Sequence, residues 1–432
     1  MRIAVVGSGI AGLASAWLLS RKHDVTLFEA NSYFGGHTHT HEVEQADRRH
    51  RIDSGFIVHN PAHYPLLTRM FAQLGVASQP TTMSFSVHSE ASGLEYNAAT
   101  LDTLFCQRRN LLSPRFLGMV RDLARFYREA PALLLQRDDM TTLGDYLGQH
   151  GYGAAFRDEH LIPMASALWS SPPTQILKFP ARYLVQFMAN HQMLQLSDRP
   201  QWRVVQGGSS TYVAALRAHW PVHERLNCPV FSIRRHHDGV EVDSAAGSER
   251  FEQIVLACHS DQSLALLADA NEREKTILGA MTYQANDTVL HTDASVLPRR
   301  RKAWAAWNAW LPRDPDAACT VSYCMNLLQG IDSPEPFVVT LNRTAAIDPE
   351  KVLARMRYQH PVYTQAAVNA QVRKAEIQGW RRTWFAGAYW GWGFHEDGMR
   401  SAVEVAAALG VHWPLGGGPL EPLEMHKQEL AA

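Results

Sequence analysis

The chain has 432 residues, 46% of them hydrophobic and 19% charged, enough for two or three compact units with a sizeable buried core. A formal net charge of −1 gives no global attraction to nucleic acid or to an acidic membrane, and nucleic-acid binding is not expected. Five scattered cysteines without a CxxC pair argue against a disulfide framework or a zinc site and fit a reducing, cytoplasmic setting. The apolar start resembles a signal sequence only superficially, because it breaks at Gly7-Ser8-Gly9. No later window has the uninterrupted apolar length of a spanning helix. A soluble protein is expected, with any membrane contact peripheral.

Ile3 to Val6 is a short apolar run suited to a strand buried on both faces. It leads into Gly7-Ser8-Gly9-Ile10-Ala11-Gly12, which is G-x-G-x-x-G, and then into an Ala- and Leu-rich helical segment from Leu13 to Ser20. A second strand, Asp24 to Phe28, ends at Glu29. In this order the parts predict a dinucleotide cradle. Gly7 allows the tight turn, Gly9 admits the pyrophosphate, and Gly12 lets helix and strand approach. The helix start offers N–H groups at Ile10 and Ala11 to the phosphates, and Glu29 is placed for ribose hydroxyls. A lone glycine fingerprint is weak evidence; strand, glycines, helix, strand and acid in sequence are strong.

Further along come Ala30-Asn31-Ser32-Tyr33-Phe34-Gly35-Gly36-His37-Thr38 and Ile52-Asp53-Ser54-Gly55-Phe56. Two strands of a hairpin are expected around Val230 and Val240, and a buried strand from Phe251 to Ala257. Near the C-terminus, Thr383 to Ala388 reads as an apolar strand ending in Ala386-Gly387. Gly393 to Met399 then leads into a helix from Ser401 to Leu409. These segments resemble the flavin-containing amine oxidase and phytoene desaturase superfamily. The resemblance implies non-covalent FAD held by Gly35, Gly36, His37, Thr38, Gly55, Phe56, Val230 and Gly387. It also implies that Asp397, Gly398 and Met399 aim a helix N-terminus at the pyrimidine end of the flavin. Members of that superfamily usually carry arginine where this chain has His37. There is no second glycine fingerprint, which argues against a built-in NAD(P) site.

The flavin segments fall at 1–75, 200–262 and 374–420. The fold class expected is therefore α/β (α+β overall), with a discontinuous Rossmann-like FAD-binding domain. Residues 76–199 and 263–373 would form a mixed sheet-and-helix substrate domain, followed by a tail at 421–432. Ser113-Pro114 signals a helix start, and Phe116, Met119, Val120, Leu123, Phe126 and Tyr127 share one helical face, read first as a core face and second as a lid. Asn60 is read as the start of a helix near the ligand.

Tyr283-x-x-Asn286, Leu290-His291-Thr292-Asp293, Met325 to Gln329, His360-Pro361-Val362 and Gly393 to Gly398 resemble a bacterial branch associated with cyclopropane-fatty-acid-synthase-like methyltransferases. That resemblance implies a lipid acyl chain as substrate and a lipid methyltransferase as partner. The leading expectation is a desaturase- or oxidase-type flavoenzyme that takes hydride from an apolar substrate. The alternatives are a flavin amine oxidase, or a redox-neutral or accessory flavoprotein. The strand from Tyr283 to Asp293 lacks the lysine that the superfamily's amine oxidases typically place near the flavin, which counts against the amine reading. Tyr389-Trp390-Gly391-Trp392-Gly393-Phe394 suggests an aromatic wall over flavin and substrate. His395, as the titrating group, with Glu396 and Trp392, are the catalytic candidates. Asn60, Tyr283, His291, Tyr389, Trp390 and Phe394 are the substrate candidates. His37, His39 and His41 alternate, but three ligands on one strand make a poor closed site, so no metal is expected. Arg299-Arg300-Arg301-Lys302 is read as a solvated basic loop before an anionic docking patch.

Overall fold

A computed structural model describes residues 1–135, 141–169, 173–195, 199–218, 220–314 and 319–413. The expected tail and residues 414–420 lie outside the described residues.

Three stretches of chain meet in a five-stranded parallel sheet. Its order is Val222–Arg225, Asp24–Phe28 (β2), Arg2–Val6 (β1), Gln253–Leu256 and Thr383–Phe385. Because successive side chains alternate, Ile3 and Val5 pack with Val25, Leu27 and Val255 on one face, while Ala4 and Val6 pack with Phe28, Ile254, Leu256 and Phe385 on the other. The first face is covered by the helix Ile10–Leu19 (α1) and the helix His395–Ala408. The opposite face is covered by the antiparallel meander Val230–Arg235, Val240–Ser244 and Gly247–Phe251. Burial on both faces explains why the inner strands Arg2–Val6 and Gln253–Leu256 read as apolar runs, whereas the edge strand Val222–Arg225 is polar and only partly buried.

A second sheet of seven strands is built from Phe85–Ser89, Glu95–Asn97, Thr282–His291, Trp307–Leu311, Thr320–Cys324, Val338–Leu341 and Val352–Val362. All its pairings are antiparallel except Trp307–Leu311 on Phe85–Ser89. Helices between residues 101 and 190 pack beside it. Pro114–Glu129 begins as the sequence suggests, with the Ser113 side chain accepting from Phe116 N at 3.3 Å and proline in the first turn. Phe116, Met119 and Phe126 on its inner face join a core with Tyr146, Phe156, Leu184 and Phe187.

Asn60 does not open a helix. The helix there is Pro65–Gln73, and Asn60 closes the preceding turn, accepting from Tyr64 N on its carbonyl and from His63 N on Oδ1. The basic run is mostly neutralised: Arg300 and the N–H of Arg299 engage buried Glu95, Lys302 pairs with Asp102, and Arg301 lies over the Trp304 ring. No described helix is long and apolar enough to cross a membrane.

Candidate functional site

The turn from β1 into α1 is shaped by contact. Gly7 adopts φ +96°, and a Cβ there would meet the Ala257 and Cys258 backbone at 3.0–3.1 Å. A Cβ on Gly12 would lie 1.8 Å from the Gly7 carbonyl oxygen, so helix and turn close only over glycine. A Cβ on Gly9, by contrast, would meet nothing within 4 Å, which leaves open space before the unpaired N–H groups of the helix start. Glu29 sits at the end of β2 with its carboxylate fixed: Ser8 N and Oγ donate to Oε2, and Asn31 N and Nδ2 donate to Oε1.

These groups line one end of a single cavity of about 1390 Å³, together with Ala30, Gly35, Gly36, His37, Gly55, Phe56, Val230 and Gly387. The volume exceeds the roughly 300–1,000 Å³ of an ordinary small-ligand cleft and leaves room for an extended dinucleotide and a second molecule. Beyond the cradle the cavity runs between the two sheets. There it is lined by Phe85, Leu123, Tyr127, Met164, Phe187, Trp307, Leu341 and Met356. Leu123 and Tyr127 belong to the helical face read first as ordinary core. Periodicity marks a buried face but cannot say whether a side chain or a ligand covers it. His160, His259, Tyr358 and His360 also line the cavity, and sequence reasoning did not single them out as ligand-facing. The second shares a segment with the cradle; the others come from remote elements, and only the fold brings them in.

Of the substrate and catalytic candidates, Tyr283, Tyr389, Phe394 and His395 reach the cavity. Asn60, His291, Trp390, Trp392 and Glu396 do not line it. His291 is fully buried, with Nε2 2.8 Å from Thr340 Oγ1 and Nδ1 accepting from Asp293 N. The aromatic wall is thus made by Tyr389 and Phe394. Trp390 turns its Nε1–H to the Phe385 carbonyl, and Trp392 packs near Tyr183 and Phe187.

His395 stacks on Phe56 with ring centroids 3.7 Å apart, and its Nε2 is 3.0 Å from Thr38 Oγ1. Burial, with His59 nearby, pushes its pKa down to about 3. In these surroundings it is a neutral hydrogen-bonding ring at physiological pH. Thr38 itself is buried behind the cavity wall, bonded to the Tyr212 hydroxyl at 2.5 Å. Glu396 accepts from Leu66 N and Leu67 N at 3.0 Å each and so caps the helix Pro65–Gln73; burial raises its pKa to about 7. Both carboxylate oxygens are engaged in this cap, away from the cavity lining. Asp397 accepts from Trp392 N and Phe394 N and pairs with Arg400, which folds the aromatic loop onto the start of its own helix. Gly398 lets that helix approach α1, since a Cβ would stand 2.7 Å from Ile10 Cγ2, and Met399 is buried in the core. His39 and His41 diverge from His37 in their bonding. His39 Nδ1 is 3.0 Å from the Tyr358 hydroxyl, and His41 Nε2 is 2.8 Å from Ser54 Oγ.

Comparison with known proteins agrees with this architecture. Residues 10–293 match the family model described as flavin containing amine oxidoreductase. A Mycobacterium tuberculosis protein named "Putative flavin-containing monoamine oxidase AofH" is 26% identical over 266 residues, which is 59% of this chain and 56% of that relative. The matched region thus spans little more than half the relative's length. Among solved structures, wild-type putrescine oxidase bound to putrescine superposes with a TM-score of 0.68 at 13% identity, covering 95% of this chain and 99% of that one. The CLA-producing fatty acid isomerase of P. acnes gives 0.67 at 16% identity over 94% and 98%. At such identities these two establish the fold alone. The glycine turn, the open space before α1 and the fixed acid suit a dinucleotide, and the family match makes that dinucleotide FAD. The chain belongs to the flavin-containing amine oxidoreductase family.

Proposed function

We propose that the protein oxidises or isomerises an elongated apolar molecule, with a lipid acyl chain as the leading class. The observation that carries this reading is the composition of the cavity beyond the cradle. Its wall is formed mainly by aromatic and aliphatic side chains from both sheets and the helical layer. Among the described lining residues the only carboxylate is Glu29, at the nucleotide end, and none is a lysine. A cationic ligand would have to be desolvated there without a counter-charge, which costs several kcal/mol or more. An acyl chain is desolvated favourably, at roughly 0.8 kcal/mol per buried CH₂.

Bound FAD supplies a hydride acceptor for a C–H bond. The chain's own residues orient that bond and exclude water. Tyr389 and Phe394 wall the chamber beside the cradle, and neutral His395 offers its ring at the junction. The structural likeness to a fatty acid isomerase is compatible with an acyl-chain substrate. The names of the monoamine oxidase relative and of putrescine oxidase favour the second reading, oxidation of an amine. A methyltransferase partner and a redox-neutral role belong to the same proposal.

The test is an anaerobic absorbance titration of the holoprotein with phospholipid vesicles carrying unsaturated or methylated acyl chains, beside a panel of amines. Bleaching of the oxidised flavin by lipid alone is the expected outcome. Bleaching by amines alone would overturn it in favour of the amine oxidase reading. A yellow protein bleached by neither, yet converting lipid without net oxidation, would place it with the redox-neutral isomerases.

A further inference from the structure

Three histidines from separate parts of the chain converge on the glycine turn. A Cβ on Gly36 would approach the Gly9 α-carbon to 3.0 Å, so His37, the next residue, stands on one side of the turn. Gly7 packs against Ala257 and Cys258 on the other, and His259 follows directly. His360 enters from the strand Val352–Val362 of the second sheet. Ring centroids of His37 lie 5.4 Å from His360 and 6.1 Å from His259, and all three rings line the cavity with Gly9, Ile10 and Ala11.

Their surroundings differ. Asn286 donates through Nδ2 to His360 Nδ1 at 3.1 Å, while its Oδ1 accepts from Asn342 at 2.7 Å. That arrangement fixes His360 as a neutral ring with its proton on Nε2. His259 lies flat on Tyr283, with centroids 4.3 Å apart. His37 makes edge contact with Tyr358 at 4.9 Å, and no described residue hydrogen-bonds its ring. The groups facing His37 are His360, His259 and His395, with Tyr358 and Tyr283 behind them; none is a carboxylate. Arg357, beside Tyr358, also lines the cavity, but it is exposed to solvent and alternates to the opposite side of its strand from His360. Among the described residues no buried arginine or lysine therefore lines the cavity beside the turn. Burial and the neighbouring imidazoles hold the His37 pKa well below its ordinary value. A pyrophosphate beside the ring reverses that balance.

We propose that His37, His259 and His360 form the anion site for the cofactor's pyrophosphate, and that His37 takes up a proton from solvent as FAD enters. His360 and His259 act as positioned neutral donors, and His37 becomes the imidazolium. FAD affinity then depends on pH. Between the low pKa of the empty site and the higher pKa of the loaded one, the dissociation constant rises about tenfold per pH unit as pH increases. Outside that window it is flat.

The test is the FAD dissociation constant of the reconstituted protein, read by flavin fluorescence from about pH 6 to about pH 9, spanning the ordinary histidine range. Calorimetry in two buffers of different ionisation enthalpy counts the protons taken up. The native protein should weaken with rising pH and take up close to one proton. His37→Arg should bind FAD with no pH slope, and His37→Gln should bind more weakly, also without slope. A native dissociation constant independent of pH with no proton uptake would overturn the proposal, and so would a His37→Gln protein that keeps the native slope. These readouts need no substrate, so they stand apart from the outcome of the lipid and amine titrations.

Discussion

Gly9 and Gly12 look interchangeable in a fingerprint, yet their surroundings differ at the level of single atoms. Gly9 is extended (φ −63°, ψ 178°) and faces open space, so alanine fits the empty protein there. The added methyl occupies the space through which the pyrophosphate must approach the helix start. Gly9→Ala should fold with a melting temperature close to that of the native apoprotein and lose at least tenfold in FAD affinity. Gly12→Ala drives a methyl into the Gly7 carbonyl and should cost about 1–3 kcal/mol of stability even without flavin. Paired thermal denaturation and flavin-binding curves separate the two. Both glycines were legible in the sequence. Their different failure modes were not, because a motif records spacing and not which neighbour fills the space.

The helix Pro65–Gln73 depends on a carboxylate more than three hundred residues away. Its first free N–H groups are satisfied by Glu396, which also belongs to the first turn of the helix His395–Ala408. Burial raises the Glu396 pKa to about 7, so the folded state favours its protonated form relative to the unfolded chain. That contribution is full below the unfolded value near 4.5 and is lost as pH rises through about 7. Glu396→Gln should therefore gain on the native protein between about pH 5 and about pH 8, by an amount on the order of 1–3 kcal/mol in chemical denaturation. A parallel pH profile for the two proteins would show that Glu396 does not titrate in this window. The sequence marked Glu396 as important through its place beside the flavin segments. It could not show a cap, since the capped helix and its acid share no local pattern.

At the scale of the whole molecule, the proposed function rests on a chamber lined by both sheets and the helical layer. Met164, on the helix Ile162–Trp169, lines it and is nearly buried. Met164→Trp should fill that space, leave the flavin spectrum and FAD retention unchanged, and raise the KM of the true substrate at least tenfold. Loss of flavin instead would mean that cradle and chamber are mechanically one. The interior also carries many neutral histidines: burial pushes His59, His160, His191 and His291 each down to about 4. Their stabilising contribution is complete above the unfolded value of about 6.5 and is lost as pH falls toward 4. Glu396 and Asp53, whose pKa values are raised to about 7 and about 6, act in the opposite direction. With more histidines than acids so placed, unfolding free energy should fall by several kcal/mol between about pH 7 and about pH 5. Denaturant titration across that range checks it.

The sequence by itself determined the dinucleotide cradle, because turn, helix start and acid lie within the first 29 residues and each has a local physical requirement. It also marked four of the parallel sheet's five strands through their apolar runs, but not the polar edge strand Val222–Arg225, which only the fold places there. What tertiary structure alone decided is which aromatic and imidazole side chains face the ligand. Trp392 turns from the cavity and Phe394 toward it because Asp397 gathers the loop backbone onto its helix. His37, His259 and His360 meet because glycine contacts at Gly7 and Gly36 bring three distant segments around one turn. Such convergence depends on packing between segments far apart in the chain, and no periodicity or spacing within a segment encodes it.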